Sequence, residues 1–584
     1  MWQVLDYAQT LALLVCEYAN HLRKGVNQWC IDLEPWQVAA YTFSFTCFFL
    51  WINAILQSDL RQSLFLSVRD LALWQRIRRS IFRWVRMLPW VRRTIENEMV
   101  KLRHDLQETI HKSDPKREFY KLLPDGGMTN EEVIAEAESY QQMAEFKYFD
   151  GKVSGCVYDA QNPELTKLLV NIFERYAYTN PLHPEVFPEC RKMEAEVVRM
   201  VCNLFHGGLK SCGTMTTGGT ESILLACLAY RNRAYSTGNY TPEMVVPVTV
   251  HPAFDKAADL FRIRIRHVAI DQNTGQVNMW AMRRAINSNT CMLVGSAPNF
   301  PHGTIDPIEE IARLGQRYGI PVHVDSCLGG FLLPFMEYCG FSVKAFDFRL
   351  PGVTSISCDT HKYGFCPKGT SVIMYRDAEY LHHQFFCQSV WPGGIYASPT
   401  LAGSRSGCNI ALTWATLLHH GRDGYLESTK KVIDTTRELK ARLEKVEELK
   451  IIGTPEVSVI AFTSDLFNVY NLSDQLTSRG WNISALQNPS ALHITVTVNW
   501  AKEGVVDQFL NDVQEIVAQL LKSPPEATKT AAIYGMAASI PDRTVVADVV
   551  FTFLDCCYST LSPRKDSFIR DPTRKESIQT PLRG

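Results

Sequence analysis

The sequence has almost no net charge, because 60 lysines and arginines nearly balance 61 aspartates and glutamates and leave a formal charge of −1. Proteins that bind nucleic acid usually carry a basic excess, so this balance argues against a nucleic-acid partner. The 17 cysteines also lack the paired spacing of metal-binding motifs. We therefore expect no metal centre and reduced thiols in a protein that faces the cytosol, with disulfides as the weaker alternative.

Charged residues are absent from one long stretch, Trp36 to Ser58. As a helix rising 1.5 Å per residue, Trp36 to Leu56 would measure about 32 Å, and the hydrocarbon core of a bilayer measures roughly 30 Å. The run therefore predicts a transmembrane helix over residues 36–58. A buried core helix and a signal peptide are the alternatives, but no small-residue cleavage site follows the run.

The charges on the two sides of this run differ. Residues 61–93 hold nine arginines and one acidic residue, whereas residues 1–35 hold Arg23, Lys24 and four acidic residues. The positive-inside rule places everything after residue 60 in the cytosol and residues 1–35 in a lumen.

Apolar residues recur at steps of three and four within the arginine-rich part, at Leu71, Trp74, Ile77, Ile81, Val85 and Leu88. This spacing predicts that residues 59–114 form a basic amphipathic juxtamembrane segment on the bilayer surface. Packing of this segment against the body of the protein is the alternative.

The rest of the chain is too long for one hydrophobic core. Residues 115–193 are expected to wrap around the domain that follows. Residues 194–420 alternate β-branched runs with helical stretches, which predicts an α/β domain with a mainly parallel sheet and helices on both faces. Its strand candidates are Met244–Val250, Arg264–Ile270, Cys291–Ser296 and Pro321–Asp325.

A second, smaller domain is expected after the α/β domain. Residues 421–558 begin with a charged helix near Leu426–Leu449 and continue with strand candidates Ser458–Phe462 and Ala491–Val498. This pattern predicts a small α+β domain. Residues 559–584 are rich in Ser, Pro, Arg and Asp and are expected to be disordered.

Three motifs in the α/β region together predict a pyridoxal phosphate site. Gly219 and Thr220 lie in a glycine-rich turn before an apolar run, and the free N–H groups at such a helix start suit a phosphate. Asp325 ends a strand, where its carboxylate can keep a pyridine nitrogen protonated. Lys362 follows a β-branched run and His361, which is how a Schiff-base lysine is presented. Singly, each could be a turn, a cap or a surface charge.

These motifs resemble those of the sphingosine-1-phosphate lyases, in the group II decarboxylase branch of fold-type I pyridoxal-phosphate enzymes. The resemblance runs from about residue 30 to about residue 558 and is carried by Tyr178–Pro188, Thr217–Ser222, His302–Pro307, His323–Gly330, Asp359–Gly364 and Gly393–Thr400. It departs from the family at Pro252, after His251, and at Cys358, where alanine is more usual. The implied fold is an aspartate-aminotransferase-like large domain.

The resemblance also implies roles for single residues. Lys362 would be the catalytic lysine, and the residues that bind the cofactor would be Gly219, Thr220, His251, Asp325, His361 and Lys362. Substrate would contact Tyr158, Asn180, His183 and Lys368. Ser398 and Arg405 lie in the Gly393–Arg405 stretch, which resembles a loop that enters the neighbouring subunit's site and implies a homodimer. Outside the resemblance, His251 and Tyr158 could be structural residues and Asn180 a loop cap.

The implied reaction is retro-aldol cleavage of sphingosine 1-phosphate to a long-chain aldehyde and phosphoethanolamine, on an endoplasmic reticulum membrane. Either Lys362 or a phosphate-assisted group would take the proton of the C3 hydroxyl. An amino-acid decarboxylase of the same fold is the first alternative, and the uncharged run, Lys368 and the Asn180–His183 loop argue against it. A membrane-tethered scaffold without turnover is the second, which the intact cofactor motifs disfavour.

Overall fold

A computed structural model of the chain describes residues 33–62, 85–86, 88–114, 119–159, 162–522 and 543–560, together with Lys24 and Gln28. The chain divides into two units, residues 1–63 and residues 64–584. Most of the predicted lumenal segment 1–35, the apolar positions from Leu71 to Ile81, and residues 561–584 of the predicted disordered tail lie outside the described residues.

The first unit is described mainly by one helix, α1 (Pro35–Gln62), which includes the whole of the uncharged run. Polar residues such as Thr42, Ser44 and Thr46 interrupt its apolar side chains. Among the helices that the structure describes, none combines the length and the apolar character needed to cross a membrane. The structure therefore shows that residues 36–58 are helical, as predicted, but it does not show that this helix crosses a membrane.

In the described part of the second unit, four α-helices precede the large sheet. They are α2 (Pro89–Ile110), α3 (Asn130–Gln141), α4 (Pro163–Tyr176) and α5 (Pro188–Leu204). Thr129 begins α3 with a capping box, in which its hydroxyl accepts from the N–H of Glu132 and the Glu132 carboxylate accepts from the N–H of Thr129. Asn162 caps α4 by accepting from the N–H of Leu165.

Seven strands form the large sheet, in the order β1-β7-β6-β5-β4-β2-β3. They are β1 (Cys212–Thr216), β2 (Glu243–Pro247), β3 (Arg264–Val268), β4 (Thr290–Ser296), β5 (Val322–Asp325), β6 (Val353–Cys358) and β7 (Ser371–Tyr375). β7 runs antiparallel to both of its neighbours, β1 and β6, and the other neighbouring strands are parallel to each other. The mainly parallel α/β sheet that the sequence predicts is confirmed.

Helices cover both faces of this sheet, which explains why the central strands are buried along their whole length. The helices are α6 (Gly219–Ser236), α7 (Ala253–Phe261), α8 (Met279–Ala285), α9 (Ile308–Tyr318), α10 (Leu333–Met336) and α11 (Ala378–His382). One core cluster includes residues of α6 and α7, and another includes residues of α5, α8, α9 and α10. Asp325 at the end of β5 pairs in register with Ser296 of β4 and Ser357 of β6.

The chain after the large sheet forms a hairpin, β8 (Phe386–Gln388) and β9 (Tyr396–Ser398), followed by the long helix α12 (Gly407–Leu443). A charged helix was expected near Leu426–Leu449. The observed helix starts earlier because the Ser406 hydroxyl caps its first turn by accepting from the N–H of Asn409. Gly421, at φ 56° and ψ −171°, introduces a kink within it.

An antiparallel four-stranded sheet follows, in the order β10-β11-β13-β12. Its strands are β10 (Lys450–Ile452), β11 (Val459–Thr463), β12 (Ser484–Leu486) and β13 (Ala491–Thr495), and its helices are α13 (Val469–Ser478) and α14 (Val505–Lys522). The expected strands Ser458–Phe462 and Ala491–Val498 correspond to β11 and β13.

The last described helix, α15 (Arg543–Cys557), packs against α2. The assignment of residues 421–558 to one small domain stays a prediction. Arg103 Nη2 lies 2.9 Å from Asp555 Oδ2, and His111 Nε2 lies 3.1 Å from the carbonyl oxygen of Cys556. These polar contacts hold the two helices together. Residues 89–110 therefore contact α15, and the position of segment 59–114 on a bilayer surface stays a prediction.

Candidate active site

Lys362 lies in a tight turn that follows β6. The N–H of Phe365 donates to the carbonyl of Lys362 at 2.9 Å, and the N–H of Cys366 donates to the carbonyl of Thr360 at 3.1 Å. A Cβ at Gly364 would lie only 2.4 Å from the Thr360 carbonyl oxygen, so this position requires glycine. The turn is thereby closed by its own backbone.

The amine of Lys362 forms an ion pair with Asp359, at 2.9 Å between Nζ and Oδ2. Burial acts to lower the pKa of Lys362, but the Asp359 carboxylate outweighs it and raises that pKa above its ordinary value. Burial likewise acts to raise the pKa of Asp359, and Lys362 and His361 bring it below its ordinary value. Sequence reasoning assigned no role to Asp359, although its spacing of three residues from Lys362 was a usable signal.

His361 is oriented by the strand that follows the turn. Its Nδ1 accepts a hydrogen bond from the N–H of Thr370 at 3.2 Å. Its Nε2 therefore carries the proton in the neutral ring and faces Asp359 Oδ2 at 3.6 Å. Burial lowers the pKa of His361, which favours this neutral form.

The start of α6 lies against this ion pair. A Cβ added at Gly219 would lie 2.7 Å from Asp359 Oδ1 and 2.8 Å from Cys327 Sγ. The hydroxyl and the N–H of Thr217 both donate to the Glu221 carboxylate, which shapes the turn before the helix. The first N–H groups of a helix have no partner within it, and those of Gly219 and Thr220 are of this kind. The predicted phosphate site and the predicted lysine are thus neighbours.

Asp325 lies two residues before Cys327 at the end of β5. Its Oδ1 accepts from the N–H of Cys327 at 3.1 Å and from the hydroxyl of Ser357 at 3.3 Å. The Ser357 hydroxyl also lies 3.2 Å from Nε2 of His323, and burial lowers the pKa of His323 to about 4, so its ring is neutral. These polar neighbours, which sequence reasoning missed as site residues, fix the orientation of the carboxylate.

Pyridoxal phosphate fits the residues that these contacts bring together. Oδ1 of Asp359 is buried and has no hydrogen-bond partner among the described residues, and the missing side chain at Gly219 leaves space beside it. Lys362 would bind the cofactor covalently, Asp325 would face its pyridine nitrogen, and the start of α6 would receive its phosphate.

Two of the predicted substrate residues lie beside the Lys362 turn. Nζ of Lys368 is 4.9 Å from the ring centroid of Tyr158 and 3.3 Å from the carbonyl oxygen of His361. Burial and the Lys362 cation both lower the pKa of Lys368. No carboxylate of the described residues lies within ion-pair distance of Lys368. Of the two lysines at this turn, Lys362 therefore has a carboxylate partner and Lys368 has none among the described residues, an arrangement that suits a second anionic group.

Asn180 and His183 are placed in a different group of contacts. The Asn180 amide donates to the Ser404 hydroxyl at 3.1 Å and accepts from the N–H of Arg405 at 3.3 Å. His183 is exposed and lies 3.6 Å from Glu185. No described contact joins either residue to Lys362. Their roles as substrate residues stay predictions.

The two residues expected to reach a neighbouring subunit make contacts within their own chain. Arg405 forms a bidentate ion pair with Glu194, at 2.7 and 2.8 Å, a partner that sequence reasoning missed. The buried Ser398 hydroxyl donates to the carbonyl of Thr400 at 3.0 Å. Their intersubunit roles stay predictions.

His251 lies between β2 and α7 and is exposed. Its Nδ1 accepts from the N–H of Ala253 at 3.1 Å, which is a local contact at the start of α7. Cofactor contact by His251 therefore stays a prediction, with the structural alternative still open.

Residues 157–465 match the family described as the pyridoxal-dependent decarboxylase conserved domain. Sphingosine-1-phosphate lyase 1 of Mus musculus is 45% identical over 558 residues, which cover 95% of this chain and 95% of that protein. The sphingosine-1-phosphate lyase of Saccharomyces cerevisiae is 40% identical over 572 residues, covering 96% and 95%.

A solved sphingosine-1-phosphate lyase of Burkholderia pseudomallei is 41% identical, covers 69% of this chain and 94% of its own, and aligns with a TM-score of 0.67. These similarities extend over the Lys362 turn, Asp325 and the start of α6, and they agree with a fold-type I large domain. The chain is a pyridoxal-phosphate-dependent lyase and belongs to the sphingosine-1-phosphate lyase family.

Proposed function

We propose that the protein cleaves sphingosine 1-phosphate and related phosphorylated sphingoid bases to a long-chain aldehyde and phosphoethanolamine, in sphingolipid catabolism. The observation that carries the proposal is the presence of two lysines at the turn that follows β6. The positive charge of Lys362 is balanced by the Asp359 carboxylate, whereas Lys368 has no carboxylate partner among the described residues. The substrate has two groups to match them, an amine that replaces Lys362 on the cofactor and a phosphate that pairs with Lys368.

Bound pyridoxal phosphate supplies an electron sink for the electron pair of the broken C2–C3 bond. The Ser357 hydroxyl and the N–H of Cys327 hold the Asp325 carboxylate in one orientation. The Lys362 amine, once released by the substrate amine, remains beside Asp359 and can return a proton to C2. The proton of the C3 hydroxyl is taken either by this amine or by a phosphate-assisted group.

Tyr158 has a supporting role in the proposed reaction. Burial raises its pKa to about 12, so its phenol is protonated at neutral pH and serves as a hydrogen-bond donor. Its ring also carries the Lys368 ammonium on its face. Tyr158 therefore helps to orient the cation that binds the substrate phosphate.

The test is incubation of the purified full-length chain with sphingosine 1-phosphate, followed by detection of long-chain aldehyde and phosphoethanolamine. An amino-acid decarboxylase of the same fold would instead release carbon dioxide from an amino acid and leave the lipid intact. A scaffold without turnover would give neither product. The high identity to lyases over nearly the whole chain favours the lipid substrate.

Membrane attachment is also part of the proposal. The uncharged run in α1 and the arginine excess after it support a single-pass anchor in the endoplasmic reticulum, with the catalytic body in the cytosol. A long-chain lipid partitions into the bilayer, so an anchored enzyme meets it at high local concentration. Protease added to sealed microsomes should degrade the catalytic body, and protection of the body without detergent would contradict this topology.

A homodimer is proposed from the hairpin of β8 and β9 and the Gly393–Arg405 stretch. Several apolar side chains there are strongly exposed, including Val390 at 84% and Ile395 at 81%. Association with a second copy would bury them and bring Ser398 and Arg405 near the neighbouring site. Light scattering of the detergent-solubilised protein should give the mass of two chains, and a monomer at assay concentration would contradict the proposal.

A further inference from the structure

Two phenol groups hold the turn of Lys362 from opposite sides. The hydroxyl of Tyr363, inside the turn, donates to the carbonyl of Val496 at 2.6 Å, just after β13. The hydroxyl of Tyr425 donates to the carbonyl of Gly364 at 2.8 Å. Tyr425 lies in the part of α12 beyond the Gly421 kink. The backbone next to Lys362 is therefore fixed to two separate elements.

The residue after Gly364 makes this support necessary. Phe365 has a φ of 60°, a left-handed backbone conformation that residues other than glycine rarely adopt. The surrounding structure must therefore hold Phe365 in this conformation. Its ring stacks on Tyr425 at 6.1 Å with an interplanar angle of 10° and contacts His420 at 5.1 Å. Tyr425 thus holds the strained residue through its ring and the preceding carbonyl through its hydroxyl.

Tyr425 is itself held rigidly. It is buried, and its ring packs on Phe331 at 5.1 Å and on Phe335 at 5.3 Å. Removing only its oxygen would leave this aromatic packing in place but would leave the buried Gly364 carbonyl with only the weak thiol donor of Cys366, at 3.5 Å. The ring and the hydroxyl can therefore be tested separately.

We propose that Tyr425 is a positioning residue for the reaction, because its hydroxyl holds the Gly364 carbonyl and so fixes the place of the Lys362 amine beside Asp359. Tyr425 touches neither the cofactor site nor the ion pair directly, and it acts through the turn. The effect on turnover rests on the proposed lyase activity. The effect on the bound cofactor does not.

The test compares Tyr425→Phe with Tyr470→Phe. Tyr470 is also buried, and its hydroxyl donates to the backbone carbonyl of Leu486 at 2.5 Å, away from the Lys362 turn. We expect Tyr425→Phe to lower kcat about tenfold while KM stays within about twofold, since the loss concerns the reacting groups more than substrate binding. Tyr470→Phe should keep the kcat of wild type.

The visible circular dichroism of the bound cofactor is the second readout, because it reports how the protein holds the chromophore. Tyr425→Phe should change this spectrum at full cofactor occupancy, and Tyr470→Phe should not. An unchanged spectrum and kcat in Tyr425→Phe, or equal changes in both variants, would overturn the proposal. A lower melting temperature with normal kcat would also overturn it, since that result describes a purely structural residue.

A second variant is needed in case Tyr425→Phe folds poorly. Phe365→Leu removes the stacked ring but keeps both hydroxyls, and it should change the cofactor spectrum in the same direction. A wild-type spectrum in Phe365→Leu would count against the proposal. If the wild-type chain releases no aldehyde, the proposed function fails, while the comparison of cofactor spectra still decides the role of Tyr425.

Discussion

Replacing Lys368 by methionine tests the assignment of the substrate phosphate site. Methionine keeps the length and the apolar stem of the side chain and removes the charge. The Lys368 amine contacts the face of Tyr158 and one backbone carbonyl, and no described carboxylate pairs with it. Its removal therefore breaks no ion pair among the residues that the structure describes, and the lost interaction is mainly the one with substrate.

The size of the effect follows from that contact. A hydrogen bond to a charged group contributes roughly 1.5 to 3 kcal/mol, and about 1.4 kcal/mol corresponds to a factor of ten. The catalytic efficiency, kcat/KM, on sphingosine 1-phosphate should therefore fall about ten- to a hundredfold. The absorbance of the bound cofactor should persist, because Lys362, Asp325 and the start of α6 are unchanged.

The assay measures aldehyde release over a range of sphingosine 1-phosphate concentrations, with the cofactor absorbance recorded on the same preparations. Lys430→Met is the matched control, since Lys430 is a surface lysine whose partner is Asp434 at 3.4 Å. A Lys368→Met enzyme with the efficiency of wild type would remove Lys368 from the substrate site. Loss of the cofactor absorbance would make it a cofactor-binding or structural residue.

Three further substitutions test the cofactor site. Lys362→Ala should abolish covalent fixation of the cofactor by borohydride, and fixation at the wild-type yield would show that another amine holds it. Gly219→Ala should weaken cofactor binding in absorbance titrations, because its Cβ would lie within 2.8 Å of Asp359 and Cys327, whereas Gly208→Ala has no atom within 4 Å and should bind normally. In Asp359→Asn, loss of one partner of the buried pair should cost about 3 to 5 kcal/mol at neutral pH. The pKa of Asp359 lies below its ordinary value, so the stability from the pair is present above that ordinary value and is lost as the pH falls through the lowered one. The acid-side loss in melting curves should therefore be smaller for Asp359→Asn than for wild type, and an equal loss in both would contradict this.

The sequence determined the parts of the protein that depend on short-range patterns. The β-branched runs of the large sheet predicted β2 to β5, because β-branched residues favour extended backbone. The motifs at Gly219, Asp325 and Lys362 could be recognised because each is a local turn or strand end with its own chemistry. The structure adds that Cys327 Sγ, near Asp325, and Asp359 Oδ1, near Lys362, both lie next to Gly219. The three motifs are therefore close together.

Contacts between distant residues were decided only by the tertiary structure. Arg405 pairs with Glu194, and Arg103 with Asp555, across separations of 211 and 452 residues. Neither pairing leaves a signal in local periodicity, so the contact of α15 with α2 could not be predicted from the sequence. Tyr425 lies 61 residues from Gly364 and looks in the sequence like any aromatic residue of a helix. Its position beside the Lys362 turn depends on the kink at Gly421 and on close packing of distant side chains, which local sequence patterns do not encode.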